Sequence, residues 1–146
     1  MQIAQAGIDD LDLLVPLFES YRAFYGGQPQ PEKARNFLRE RMERSQSVVL
    51  LAREGEEAGG FVQLYPLFSS AAMADVLVLN DLFVAPKHRR KGLAARLVKA
   101  AEEYAVGQGV SRLRLSTQHS NTCAQALYEA AGWELDREFR TYNRAL

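Results

Sequence analysis

Residues 77–98, LVLNDLFVAPKHRRKGLAARLV, constrain this chain more than any other stretch. An apolar run ends at Val84. A Pro-containing turn follows, then the basic cluster Lys87, His88, Arg89, Arg90 and Lys91, then Gly92 and a helical pattern over 92–106 with Leu93, Leu97, Val98 and Ala101 on one face. A strand that hands its chain straight to a helix requires a sheet with a helix packed on it, so the chain belongs to the α/β class. The same junction suits an anion, because helix-start N–H groups lack partners and the helix dipole is positive there. Gly92 has no Cβ, so a phosphate could approach the backbone, with Arg89, Arg90 and Lys91 supplying charge. A basic helix start on a solvated surface fits this segment alone equally well. No Gly-Lys-Ser/Thr follows, so it is not a Walker loop, and the third glycine of a dinucleotide fingerprint is missing.

The remaining elements build a sheet around this junction. Residues 2–6 read as a short strand. Leu11, Leu14, Val15 and Phe18 share one face of a helix over 10–24, in which Pro16 predicts a late start or a bend. Pro31 opens a second helix over 31–44. Strands are expected at 47–53, at 61–68 with Pro66 marking an edge or bulge, at 74–84 and at 112–117, with a turn over 54–60. Asn121 caps a helix that Gly132 ends. Residues 133–146 read as one or two further strands. No repeat, low-complexity tract or linker interrupts the 146 residues, so one domain spanning 1–146 is expected.

Charge and cysteine content narrow the partners. Lys+Arg and Asp+Glu are both 18, so the molecule has no strong field for nucleic acid or membrane, and the 87–91 cluster suits a small polyanion. A single cysteine, Cys123, rules out an internal disulfide and reads as a buried filler. The two histidines and one cysteine give no zinc spacing, so no metal is expected. With no signal-like N-terminus and no apolar run of membrane-spanning length, a cytosolic protein is expected.

Downstream, Asn121 and Tyr128 lie seven residues apart, two helical turns, and Gly132-Trp133 follows. Taken alone they read as a cap and a half-buried tyrosine. Taken with Arg89-x-x-Gly92-x-Ala94, they resemble the GCN5-related N-acetyltransferase (GNAT) superfamily. The likeness covers 74–135. Segments 21–26, 37–52 and 138–143 also resemble the bacterial branch related to yeast histone and polyamine acetyltransferases.

The resemblance implies a mixed, mostly antiparallel central sheet with splayed central strands, flanked by helices. It implies acetyl-CoA as the acyl donor and an amine as the acceptor, either a small primary amine or polyamine or a protein lysine or N-terminus. Backbone groups of Leu82, Phe83 and Val84 would line the pantetheine arm, and an N–H near Val84 would polarise the thioester carbonyl. Arg90, Lys91, Gly92, Leu93, Ala94 and Ala95 would seat the pyrophosphate, with Arg89 adding charge. Asn121 would bond the pantetheine, and Tyr128 would serve as general acid to the departing sulfur. Tyr21, Tyr25, Asn80 and Tyr142 would stand near the acceptor. Relatives often place a glutamate base where this chain has Asn80, which cannot be a base. Strand alternation sends the neighbouring Asp81 to the opposite face. The base is therefore Asp81, Glu19 or a water chain, and Asp9, Asp10, Asp12 and Glu19 offer acid for a polyamine. A homodimer, paired through strands such as 138–144, is expected. The other reading of the same fold is a non-catalytic acyl-CoA-binding module.

Overall fold

The computed structural model describes all 146 residues. The chain divides into two units, Met1–Ser116 and Thr117–Leu146. The first contains β1 (Gln2–Gln5), α1 (Leu11–Phe24), α2 (Pro31–Glu43), β2 (Val48–Glu54), β3 (Glu57–Ser69), β4 (Ala74–Val84), α3 (Leu93–Gly107) and β5 (Arg112–Arg114). Its five strands form one sheet in the order β1-β2-β3-β4-β5. The first three pairings are antiparallel and β4–β5 is parallel. The sheet is thus mixed and mostly antiparallel, with helices on both faces.

Alternation along β3 sorts the layers. Phe61 faces α1, where its ring lies 6.3 Å from that of Phe18. Adjacent Gly60 faces α3, where a Cβ would lie 3.1 Å from Leu97. On the first face Leu11, Leu14, Phe18, Leu38, Val49 and Phe61 close one core. Each such fully buried Leu or Phe contributes roughly 1.5–3 kcal/mol. On the other face α3 buries Leu93, Leu97, Val98, Ala101 and Ala105. Helix α1 runs unbroken through Pro16, so the expected late start does not occur. Pro31 sits in the first turn of α2, where its missing N–H is no loss.

Two bulges matter. Between Ala52↔Gly60 and Arg53↔Ala58, Gly59 is an extra residue on β3. This lets β3 start at Glu57, so most of the turn expected over 54–60 is strand. Between Leu64↔Leu79 and Gln63↔Asp81, Asn80 is an extra residue on β4. Pro66 pairs with Leu77 on β4 but lies past Leu64, where the β2 ladder ends, so its missing N–H faces no partner strand. The parallel β4–β5 ladder has only the rows Val76↔Arg112, Leu77↔Leu113 and Val78↔Arg114. From Leu79 to Val84, β4 therefore has a ladder on its β3 side alone.

The second unit is led by α4 (Thr122–Ala130). Asn121 Oδ1 accepts the Ala124 N–H at 3.1 Å, the expected N-cap. Gly132 has φ +92°. The Gly132 N–H reaches the Glu129 carbonyl and the Trp133 N–H reaches the Tyr128 carbonyl, both at 3.0 Å. That pair of bonds is a Schellman closure, and the Tyr128 and Trp133 rings, 5.8 Å apart, supply its side-chain contact. The strands expected within 133–146 do not form. Asp136 Oδ1 instead accepts the N–H groups of Glu138 and Phe139, a local turn that competes with a ladder. No helix of the chain is long and apolar enough to cross a membrane.

Candidate active site and anion cradle

The β4 bulge decides where Asp81 points. Paired residues share a sheet face, so Leu79 lies with Leu64 and Asp81 with Gln63, on opposite faces. In a regular strand of this sequence, Asp81 would follow Leu77 and Leu79 onto the apolar α3 face. With the bulge, Asp81 turns to the α1 face alongside Gln63 and Phe83. The expectation that Asn80 and Asp81 point apart is overturned for the same reason. Asn80 Nδ2 donates to Asp81 Oδ1 at 2.9 Å.

Asp81 is 2% exposed and held by side chains from three elements. Gln63 Nε2 donates to Oδ2 from β3, Asn80 donates from β4, and the Tyr21 hydroxyl donates from α1. Burial pushes the Asp81 carboxyl above the ordinary carboxylate range, against the pull of those three donors. None of the chain's ion pairs includes it. Burial, and then the Asp81 charge, push the Tyr21 phenol up, so it remains a donor. The same two causes raise Tyr65, a residue that the sequence alone does not single out. Tyr65 follows Phe61 and Gln63 at alternate positions of β3, and that spacing is the available signal. Tyr25 packs edge-on against Tyr21, with centroids 5.1 Å apart.

The other acids near α1 are engaged elsewhere. Asp10 pairs with Arg53 and Asp12 with Arg35, both at 2.7 Å. Glu19 accepts from Arg22 at 2.7 Å and from the Gln30 N–H at 2.6 Å. Burial opposes its charge, but the Gln30 and Arg22 bonds hold its carboxyl below the usual range. A carboxylate so committed is a poor base, which leaves Asp81 as the better candidate.

At the end of β4 the basic cluster is sorted by its contacts. Lys87 and His88 both bind Glu57 on β3, at 2.6 and 2.8 Å, and hold that carboxyl low. Arg89 turns back, with Nε on the Val84 carbonyl at 2.8 Å and its guanidinium 5.4 Å from the Phe83 ring centre. It braces the strand, and the Val84 carbonyl is occupied. Lys91 reaches the Lys87 carbonyl at 3.2 Å. Arg90 forms no ion pair and adopts φ +59°. Gly92 caps α3 at φ +76° and offers no side-chain cap. A Cβ there would meet nothing within 4 Å, so open space adjoins the N–H groups of Leu93, Ala94 and Ala95. Alternating left-handed residues beside a helix start form a concavity that suits a diphosphate.

The first unit thus brings together Asp81, Asn80, Tyr21 and Tyr25, and it carries Leu82, Phe83, Val84 and residues 89–95 on one continuous stretch. In the second unit, Asn121 and Tyr128 lie at the two ends of α4, and Tyr142 is 83% exposed in the tail. Cys123 is exposed, not buried, because no face of α4 is fully covered.

The chain is similar to known proteins in sequence and in fold. The acetyltransferase (GNAT) family profile matches residues 14–133. A Bacillus subtilis (strain 168) protein described as the uncharacterized N-acetyltransferase YhfO is 45% identical over 142 residues, covering 97% of this chain and 95% of that protein. A Haemophilus influenzae protein described as a probable acetyltransferase is 29% identical over 147 residues, covering 100% and 99%. A crystal structure of a probable acetyltransferase superposes with a TM-score of 0.94 at 43% identity, covering 100% of this chain and 98% of that one.

Proposed function

The chain belongs to the acetyltransferase (GNAT) family, and on that premise we propose that it moves an acetyl group from acetyl-CoA to a primary amine within a ternary complex, with Asp81 as proton acceptor and Tyr128 as general acid. The observation that carries this reading is the run from Asn80 to Ala95. One bulge turns a buried carboxyl toward Tyr21 and Tyr65, and the same strand continues as a one-sided edge into the Gly92 cradle.

Acetyl-CoA supplies an activated acyl group as a thioester. Gly92, with the helix-start N–H groups and Arg90, would hold its diphosphate, and Leu82, Phe83 and Val84 would offer backbone groups to the arm. The Asn121 amide would donate from Nδ2, since its Oδ1 is engaged as a cap. Asp81 would take a proton from the acceptor's ammonium, leaving the nitrogen its electron pair for attack. Tyr128 would give its phenolic proton to the departing thiolate, which is weakly basic and suits a phenol, and the phenolate would be reprotonated by the second proton that the nitrogen loses as the amide forms. Tyr21, Tyr25, Asn80 and Tyr142 are the acceptor-side residues of this reading. The likeness to histone and polyamine acetyltransferases rests on segments 21–26, 37–52 and 138–143 alone, so the acceptor is kept at the level of a primary amine. The reading also takes the protein as a cytosolic homodimer; light scattering that gives a monomer mass would contradict the dimer.

The test is thiol release from acetyl-CoA across a panel of small amines, polyamines and lysine peptides. Tyr128→Phe should lower turnover roughly 10²-fold with acetyl-CoA affinity retained. A wild-type protein that binds acetyl-CoA but releases no thiol with any acceptor would overturn the catalytic reading.

A further inference from the structure

Gln63 is 0% exposed and lies opposite Asp81 in the β3–β4 register. Its Nε2 donates to Asp81 Oδ2, while its Oε1 is buried without a hydrogen-bond partner. A buried glutamine with one end bonded and the other orphaned is a costly thing to keep in a sheet, since a lost partner costs about 1–3 kcal/mol. An apolar residue would fill the same space without that penalty. The orphaned oxygen acquires a use once the neighbouring carboxyl gains a proton. A carboxylate needs a donor, whereas a carboxylic acid needs an acceptor for its O–H. The two ends of an amide supply both.

We propose that Gln63 is a positioning residue for Asp81, its amide donating from Nε2 to the carboxylate and, after a half-turn, accepting at Oε1 from the carboxylic acid. The inference rests on the reading of Asp81 as proton acceptor. In the step it serves, an N–H bond of the acceptor's ammonium breaks and an O–H bond forms on Asp81. The electron pair stays on nitrogen, and the carboxyl becomes neutral. Either amide orientation leaves one end bonded and one end without a partner, so the half-turn exchanges like for like. The groups facing Asp81 are Gln63 and Tyr65 from β3, Asn80 from β4, and Tyr21 with Tyr25 behind it from α1. Arg41 of α2 acts on Tyr65. No cation bonds to Asp81, so the amide is its buried partner able to serve both protonation states without a change of charge.

The experiment uses the full chain with Gln63→Met, which keeps the volume and removes both polar ends. The infrared carbonyl band of protonated Asp81, identified by its loss in Asp81→Asn, gives the carboxyl's midpoint without substrate. The acid limb of kcat/KM gives it in turnover. A bond to the anion is stronger than one to the neutral acid by about the equivalent of one pH unit, so both midpoints should rise by about that amount, with KM for acetyl-CoA unchanged. An unchanged infrared midpoint overturns the proposal. So does a shifted infrared midpoint beside an unmoved acid limb, because turnover would then not depend on this carboxyl. If Gln63→Met does not fold, Gln63→Glu sets a second carboxyl against the first and should raise the midpoint further; no rise refutes the pairing. Failure of wild-type thiol release is observed separately and defeats the underlying reading instead.

Discussion

Gly60→Ala tests whether the end of β4 is held where the cradle requires it. Gly60 pairs with Ala52 on β2 and Val84 on β4. A Cβ there would lie 2.7 Å from the Phe83 carbonyl oxygen, 3.1 Å from Leu97 Cδ1 and 3.3 Å from Val84 Cα. Two of these atoms are backbone and cannot rotate away, so β4 must move by several tenths of an ångström. Overpacking of this kind costs about 1–3 kcal/mol, and replacing a strand glycine returns about 0.5–1 kcal/mol. The net loss is centred at about 1 kcal/mol, or about 2–4 °C in Tm for a chain of this size. Gly59→Ala is the control. Its Cβ would press on the Met1 side chain and lie 3.2 Å from Leu93 Cδ2, both ends of side chains that can shift. Its stability should stay within about 1 kcal/mol of wild type. The assay is a thermal melt with an acetyl-CoA titration of each variant. Gly60→Ala should melt lower and bind more weakly, because the displaced residues are Phe83 and Val84. Equal melts for the two variants would refute the argument from backbone contact, and unweakened binding would remove residues 83–84 from the cofactor edge.

Gly92→Ala meets no steric neighbour but must hold φ +76°, so it should lose about 1 kcal/mol by denaturant unfolding, with weaker acetyl-CoA binding. Asn121→Ala should cost about 1 kcal/mol through its lost cap, read by chemical denaturation, and Asn121→Asp should recover most of that stability without recovering acetyl-CoA affinity. Because burial raises the Asp81 carboxyl against its three donors, the folded protein binds that proton more tightly than the unfolded chain does. The resulting stability is complete below a pH of about 3.9 and is lost as pH rises through the raised value. Asp81→Asn lacks this dependence, so its melting temperature relative to wild type should rise across that interval; a constant difference would contradict the assignment.

What can be read from the chain follows the locality of each signal. Helix α4 is legible to within a residue at its start because its N-cap and its closing glycine are short-range chemistry. The Asn121 to Trp133 pattern also has a local explanation, since Tyr128 and Trp133 are the closure's paired side chains. The Gly92 junction is legible for the same reason. The Asn80 bulge is not, because LVLNDLFV carries no break of its own and only the pairing with β3 shows that one residue is surplus. Alternation therefore assigns Asp81 to the wrong face and conceals Gln63 and Tyr65 as its company. The tail misleads in the opposite direction: Trp133, Phe139, Thr141 and Tyr142 favour a strand, but the Asp136 side chain bonds the backbone two and three residues on.

Asn80 gives β4 an unusual arithmetic. Removing it would leave Leu79 opposite Leu64 and Asp81 opposite Gln63, with every other side chain of the two strands on its present face. Removing Asp81 would also even the ladder, but it would set Asn80 opposite Gln63 and take the buried carboxyl away. The sheet as a packed object could do without that one residue, and would gain a regular ladder by losing it. What a shortened strand would lose is the local bend, which starts two residues beyond the last row shared with β5. The position thus separates two demands on one strand: packing would tolerate about ten residues where the site uses about eleven.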